Sequence, residues 1–227
     1  MLALLLCLAS VQAFSADRKI TTLEAIYDLL RDNKQVGETR LTVARHEDRL
    51  HWQSITTAMG FYAWLTDKQP YAESIQHRIR DDFYLSSIQI SASMKEPPEE
   101  VASFDWHQSL MTSTRKGKQN QQPLSDHVYD HLSIHWLAAQ MRLTNVEHCQ
   151  LTFYRKGRLI QSTLVKTANE WLIVGNKTVQ TTVFEQSFES LNHRFTYHYS
   201  HENPWLPLRI KLERKDRKTI LMRLKSF

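Results

Sequence analysis

The chain is short of most features that advertise a chemistry. Of its 227 residues only two are cysteine, Cys7 and Cys149, so loss of an N-terminal leader would leave one and exclude an intramolecular disulfide. Stability must then come from apolar burial. Five glycines and six prolines exclude a linker-rich or low-complexity chain. No GxSxG elbow and no HExxH occurs. Past the N-terminus, no apolar run approaches the about 20 residues that a membrane-spanning helix needs.

What is present begins at the N-terminus. Leu2 to Val11 read LALLLCLASV, uncharged and too short to span a bilayer, which fits the apolar part of a secretory signal. Cleavage after Ala13 places Val11 and Ala13 at the small-residue positions; cleavage after Ala16 is the alternative. No Lys or Arg follows Met1, so either the free amino group supplies the positive charge or the start lies upstream. Cys7 follows Leu6, where a lipidated cysteine follows a small residue. The expectation is a signal peptide over 1–16, export to the periplasm, and one domain over 17–227. The surplus of 29 Lys and Arg over 24 Asp and Glu belongs wholly to that domain, because the leader has no charged side chain.

Along the domain the dominant signal is period-two alternation, which marks half-buried antiparallel strands. Leu23, Ala25, Tyr27 and Leu29 alternate with Glu24 and Asp28, and Asp32-Asn33-Lys34 reads as a turn. Phe195, Tyr197 and Tyr199 share one face. Leu206, Leu208, Ile210 and Leu212 share another, and a final hairpin crosses Lys215-Asp216-Arg217. One helix is predicted over about 126–143, because Val128, Leu132, Trp136, Ala139 and Leu143 form a single apolar stripe, with Ser125 and Asp126 as N-cap chemistry. The expected fold is mainly β: one antiparallel sheet, strongly curved or barrel-like, with that helix packed on it.

Four pieces in order carry a family resemblance. They are Tyr27-Asp28-Leu29-Leu30-Arg31-Asp32-Asn33-Lys34-Gln35-Val36-Gly37, then Phe104-Asp105-Trp106, then Asp130-His131-Leu132-Ser133, and last Trp205-Leu206-Pro207-Leu208-Arg209-Ile210. Together they resemble the domain-of-unknown-function 3108 family of bacterial envelope proteins, over almost the whole domain. The resemblance implies export and a β-rich, barrel-like sheet, and no established activity. The chain departs from the family at Val174-Gly175-Asn176-Lys177, where members have a Gly-rich stretch.

Three groups of residues are candidates for function. His127, His131 and His135 stand at i, i+4 and i+8, which on a helix would stack imidazoles on one face beside Asp130, as in helical zinc sites; a His-rich flank is the plain alternative. Arg209, Lys211, Arg214, Lys215, Arg217 and Lys218 would give the last hairpin a positive outer face, suited to lipid headgroups or acidic glycans, or else a solvated edge. Trp52, Phe61, Trp64, Trp136 and Tyr197 would line an apolar hollow if the curved sheet leaves one, and are otherwise core. Cys149 beside His148 makes no dyad, since neighbours in a strand point apart. The expectation is a non-enzymatic binding or structural module for apolar or anionic envelope material, with no cofactor and no nucleic acid partner. The competing reading is a metal-dependent or hydrolytic enzyme on the three histidines.

Overall fold

The computed structural model describes residues 22–66, 68–214 and 217–226. The expected signal peptide lies outside the described residues, as does Lys215. Hairpin follows hairpin through the N-terminal half: β1 (Thr22–Arg31), β2 (Lys34–Arg45), β3 (Arg49–Ala58), β4 (Tyr71–Ile79), β5 (Asp82–Ser91), β6 (Glu100–Asp105), β7 (Leu110–Arg115) and β8 (Lys118–Pro123), with a short helix α1 (Phe61–Leu65) between β3 and β4. A two-residue strand β9 (Val128–Tyr129) and helix α2 (Ile134–Leu143) lead to a second meander. Its strands are β10 (His148–Arg155), β11 (Arg158–Val174), β12 (Lys177–Phe188), β13 (Leu191–Ser200), β14 (Arg209–Arg214) and β15 (Arg217–Ser226).

Turn chemistry sets the registers. Asp32-Asn33, Lys116-Gly117 and Lys156-Gly157 all have positive φ at both positions, the type I′ geometry whose twist matches that of paired strands. Gly37 lies on β2 where a Cβ would stand 2.5 Å from the Thr57 carbonyl oxygen, so the close β2–β3 approach requires glycine there. The first and last strands pair antiparallel, and all 15 strands form one sheet in the order β8 to β1, then β15 to β9.

That sheet rolls around α2. His135 lies 5.9 Å (ring centroids) from Trp52 on β3, and 5.7 and 6.0 Å from Tyr197 and Tyr199 on β13, although four strands separate β3 from β13 in the sheet. The helix is buried on nearly every side and fills the interior with Leu50, Trp52, Phe184 and Leu206. The sheet then overlaps itself. Leu151 and Phe153 of β10 join this core, while Tyr154 faces the other way, into a second core with Leu85, Ile88, Phe104 and Met111 of β5, β6 and β7. Burial of Leu151 through Tyr154 without a break marks a strand covered on both faces. Side chains latch the overlap: the Gly157 N–H donates to Glu100 Oε1 at 3.1 Å, and its carbonyl accepts from Ser113 Oγ at 3.0 Å and Asn120 Nδ2 at 2.8 Å.

The mainly β, barrel-like fold read from the sequence is the observed one, but the helix begins later than about 126. Val128 and Tyr129 instead pair in parallel with Thr152 and Phe153. Asp130, not Ser125 or Asp126, then starts the helix. Its Oδ1 accepts from the N–H groups of Leu132 and Ser133, at 2.9 and 2.6 Å, and its carbonyl accepts from the Ile134 N–H. The Ser133 hydroxyl accepts from the Asp130 N–H in return, a reciprocal cap. The ladder with β10 gives the backbone at 128–129 partners that a first helical turn leaves open, so the extended form prevails there.

Candidate functional site

At one rim of the rolled sheet three two-residue hairpins are closed by basic residues in register, and Arg214 is in register with Arg217 across the β14–β15 connection; the β12–β13 hairpin at the same rim is closed by Phe188 and Leu191 and carries exposed Glu189. Arg31 opposes Lys34, Arg115 opposes Lys118, Arg155 opposes Arg158 and Arg214 opposes Arg217. Like charges directly opposite in a ladder destabilise it, by about 0.2–1 kcal/mol for each pair. The fold itself does not need these residues there. At the opposite rim the closing pairs are Ile79 with Asp82, Asp105 with Leu110 and Val174 with Lys177, and exposed acids such as Glu47, Asp48, Asp81, Glu147 and Glu202 occupy its turns. The first rim is the more basic of the two, although it also carries exposed Asp32, Glu96, Glu99 and Glu189, and the opposite rim holds Arg45, Arg49, Arg78 and Arg80 among its acids.

The rim turns are neighbours in space. The Asp32 N–H donates to Thr219 O next to the β14–β15 turn, and the Lys116 N–H donates to Glu99 O in the β5–β6 loop. A Cβ on Gly157 would stand 3.7 Å from the Arg115 Cβ. At the mouth, Arg155 Nη1 lies 2.9 Å from His193 Nδ1; burial and then the charge of Arg214 push its guanidinium below its ordinary pKa. Arg115 is different, being held at 2.8 Å by the buried Glu100 carboxylate. Such a convergence of cations suits phosphate or carboxylate, which guanidinium groups bind through paired hydrogen bonds.

The basic residues expected from the last hairpin divide between two places. Arg214 and Arg217 belong to the rim, the side chains of Arg217 and Lys218 lying outside the described part. Arg209 and Lys211 line an open groove of about 520 Å³ on the outer face, with Asp32, Asn33, Thr219 and Leu221. Lys211 pairs with Glu213 at 2.7 Å, and Arg209 Nη2 lies 2.8 Å from His198 Nε2. Burial, then the charges of Arg209 and Lys211, push His198 down to about 4. The sequence reading missed Arg31, Lys34, Arg115, Lys118, Arg155 and Arg158. Its available signal was the recurrence of Arg-x-x-Lys or Arg-x-x-Arg around turn dipeptides.

Three of the five aromatic candidates meet, but as packed core. Trp52, Trp136 and Tyr197 are buried in the inner core, packed on α2 or belonging to it, and the Trp52 indole donates to Gln76. A void of about 10 Å³ lies beside them, lined by Leu23, Val43, Arg45, Leu50 and Trp205, with room for about one water. Phe61 is 68% exposed on α1, and the Trp64 side chain lies outside the described part. The later helix start also separates the histidines, so their spacing of four does not stack them. His127 stacks on Tyr84 at 3.9 Å and sits 3.2 Å from Asp82; His131 is exposed; His135 is buried, with Nδ1 2.7 Å from the Tyr199 hydroxyl. Burial, then repulsion from His131, push His135 down to about 3. Among the described residues no group of three or more His, Cys, Asp or Glu could hold a metal ion.

Comparison with known proteins bears on the fold. No family model matches the chain, and no curated protein does. A solved structure does: a beta-barrel-like protein of the domain of unknown function DUF1849 from Brucella abortus, at TM-score 0.53 and 11% identity, covering 93% of this chain and 98% of that one. The chain has the fold of a beta-barrel-like protein, and no helix among its described residues is long and apolar enough to cross a membrane.

Proposed function

We propose that this chain is an exported, non-catalytic module of the bacterial envelope that holds anionic material at its cationic rim. The observation that carries this reading is the set of three cation–cation hairpin mouths on one rim, with Arg214 in register with Arg217 beside them. Each opposed pair raises the energy of the free protein and lowers it once an anion lies between the charges. Export rests on the uncharged Leu2–Val11 segment and the small residues after it. Kinship with the domain-of-unknown-function 3108 family rests on the four ordered sequence pieces. The enzyme reading is the weaker one, because its three histidines stand in three separate environments.

Calorimetric titration with soluble polyphosphate tests the rim. Binding should weaken steeply as salt rises past the ionic strength at which the screening length is about 10 Å. The double variant Lys116→Glu/Lys156→Glu should lose it. Affinity indifferent to both salt and charge reversal would remove the reading. Export is tested separately: the periplasmic protein should begin at Phe14 or Asp17, and retention of Met1 in the cytoplasm would refute it.

A further inference from the structure

The rim carries more than charge. The β3–β4 connection containing α1 leaves the same end of the sheet as the cationic hairpins: the Met59 N–H donates to Val36 O, two residues past the Lys34 turn. On it Met59 and Tyr62 are each 39% exposed and Phe61 is 68% exposed. The β5–β6 loop at this end adds Met94, 58% exposed, beside Lys95. Residues 59–63 are exposed there and held by backbone hydrogen bonds, Met59 N–H to Val36 O, Tyr62 N–H to Met59 O and Ala63 N–H to Gly60 O.

We propose that the chain docks end-on onto an anionic phospholipid bilayer, with Met59, Phe61 and Tyr62 entering the interface while the surrounding hairpin cations hold headgroup phosphates. This rests on reading the rim as an anion-binding face and names its occupant. A soluble polyanion would use the charges and leave the apolar tip in water. A bilayer interface uses both, since aromatic rings settle at headgroup depth and juxtaposed Lys and Arg draw in acidic lipid. Orientation follows from the charge balance, because the opposite rim mixes Arg45, Arg49, Arg78 and Arg80 with its carboxylates and offers an anionic surface less net attraction. That rim also carries exposed Trp171 and Ile173 (69% and 72%), which makes it an internal control.

Vesicle flotation provides the test, with phosphatidylcholine vesicles against phosphatidylcholine–phosphatidylglycerol vesicles and the polyphosphate titration in parallel. The expected protein floats only with the anionic vesicles. Phe61→Ser/Tyr62→Ser should weaken that binding at least about tenfold, given the apolar area withdrawn from the interface. It should leave polyphosphate affinity within about twofold, since no charge in the rim is altered. Phe61→Leu should restore vesicle binding, and Trp171→Ser should change neither measurement. Full vesicle binding by the double Ser variant, or equal loss with Trp171→Ser, overturns the proposal. Polyphosphate binding without vesicle binding also overturns it and leaves the anion-binding rim standing; loss of both removes the two together.

Discussion

If the opposed cations at the rim serve a ligand, removing one of each pair must make the free protein more stable. The perturbation is Lys34→Gln, Lys118→Gln or Arg158→Gln, all exposed positions on the hairpin mouths. Two unit charges about 7 Å apart in a water-like dielectric repel by about 0.6 kcal/mol, in line with the range for like-charged cross-strand pairs. The surroundings rank the three. Arg155 is already crowded by Arg214 and donates to His193, so Arg158→Gln should gain most, about 0.5–1 kcal/mol. Arg115 is neutralised by Glu100, so Lys118→Gln should gain least. Thermal unfolding reads the effect as about 1–4 °C for Arg158→Gln at this chain length. Added salt should shrink the gain by screening the same repulsion. Lys177→Gln, which faces Val174 at the other rim, should gain nothing. Equal shifts for Arg158→Gln and Lys177→Gln, or a gain that persists in high salt, would refute the premise that these pairs repel.

Asp130→Ala removes an acceptor used by two buried N–H groups at the start of the interior helix and should cost about 2–3 kcal/mol in urea unfolding; a loss under about 0.5 kcal/mol would contradict the capping role. Gly37→Ala should be far more damaging than Gly175→Ala, although Gly175 has the positive φ. The first drives a Cβ to 2.5 Å from a backbone carbonyl, while the second has open space and only local strain, about 1–2 kcal/mol. Acid should destabilise the protein through its buried imidazoles. His135 and His198 are held near 3 and 4, below their unfolded value, so the unfolded chain binds the extra protons. Stability is then full above about 6.5 and falls as pH drops toward the folded values, by up to about 1.4 kcal/mol per pH unit for each group. His135→Gln should flatten that slope between pH 6 and 4 in denaturant melts; an unchanged slope would show that His135 is not among the groups responsible.

Much of the β meander was legible in the sequence because its information is local. A period of two marks a half-buried strand wherever it occurs, as along Leu23 to Leu29, and Asp32-Asn33 turns a hairpin with no reference to the rest of the chain. The same locality explains the misplaced helix start. Val128 fits an apolar helical stripe, but the ladder offered by Thr152 and Phe153 twenty-four residues on captured it as strand. The three histidines lost their common face for that reason alone.

The sequence by itself determined the hairpins, the reliance on apolar burial with a single cysteine after residue 7, and the excess of basic residues. The rolling of the sheet, the overlap that covers β10 on both faces and the interior seat of α2 were decided only by tertiary structure, since each depends on contacts between strands far apart in the chain. So was the candidate site. Arg-x-x-Lys and Arg-x-x-Arg stand in plain view at four turns, yet successive hairpin turns alternate between the two ends of a sheet. Only the strand order and registers reveal that these four come out at one rim, the rim of the exposed Phe61.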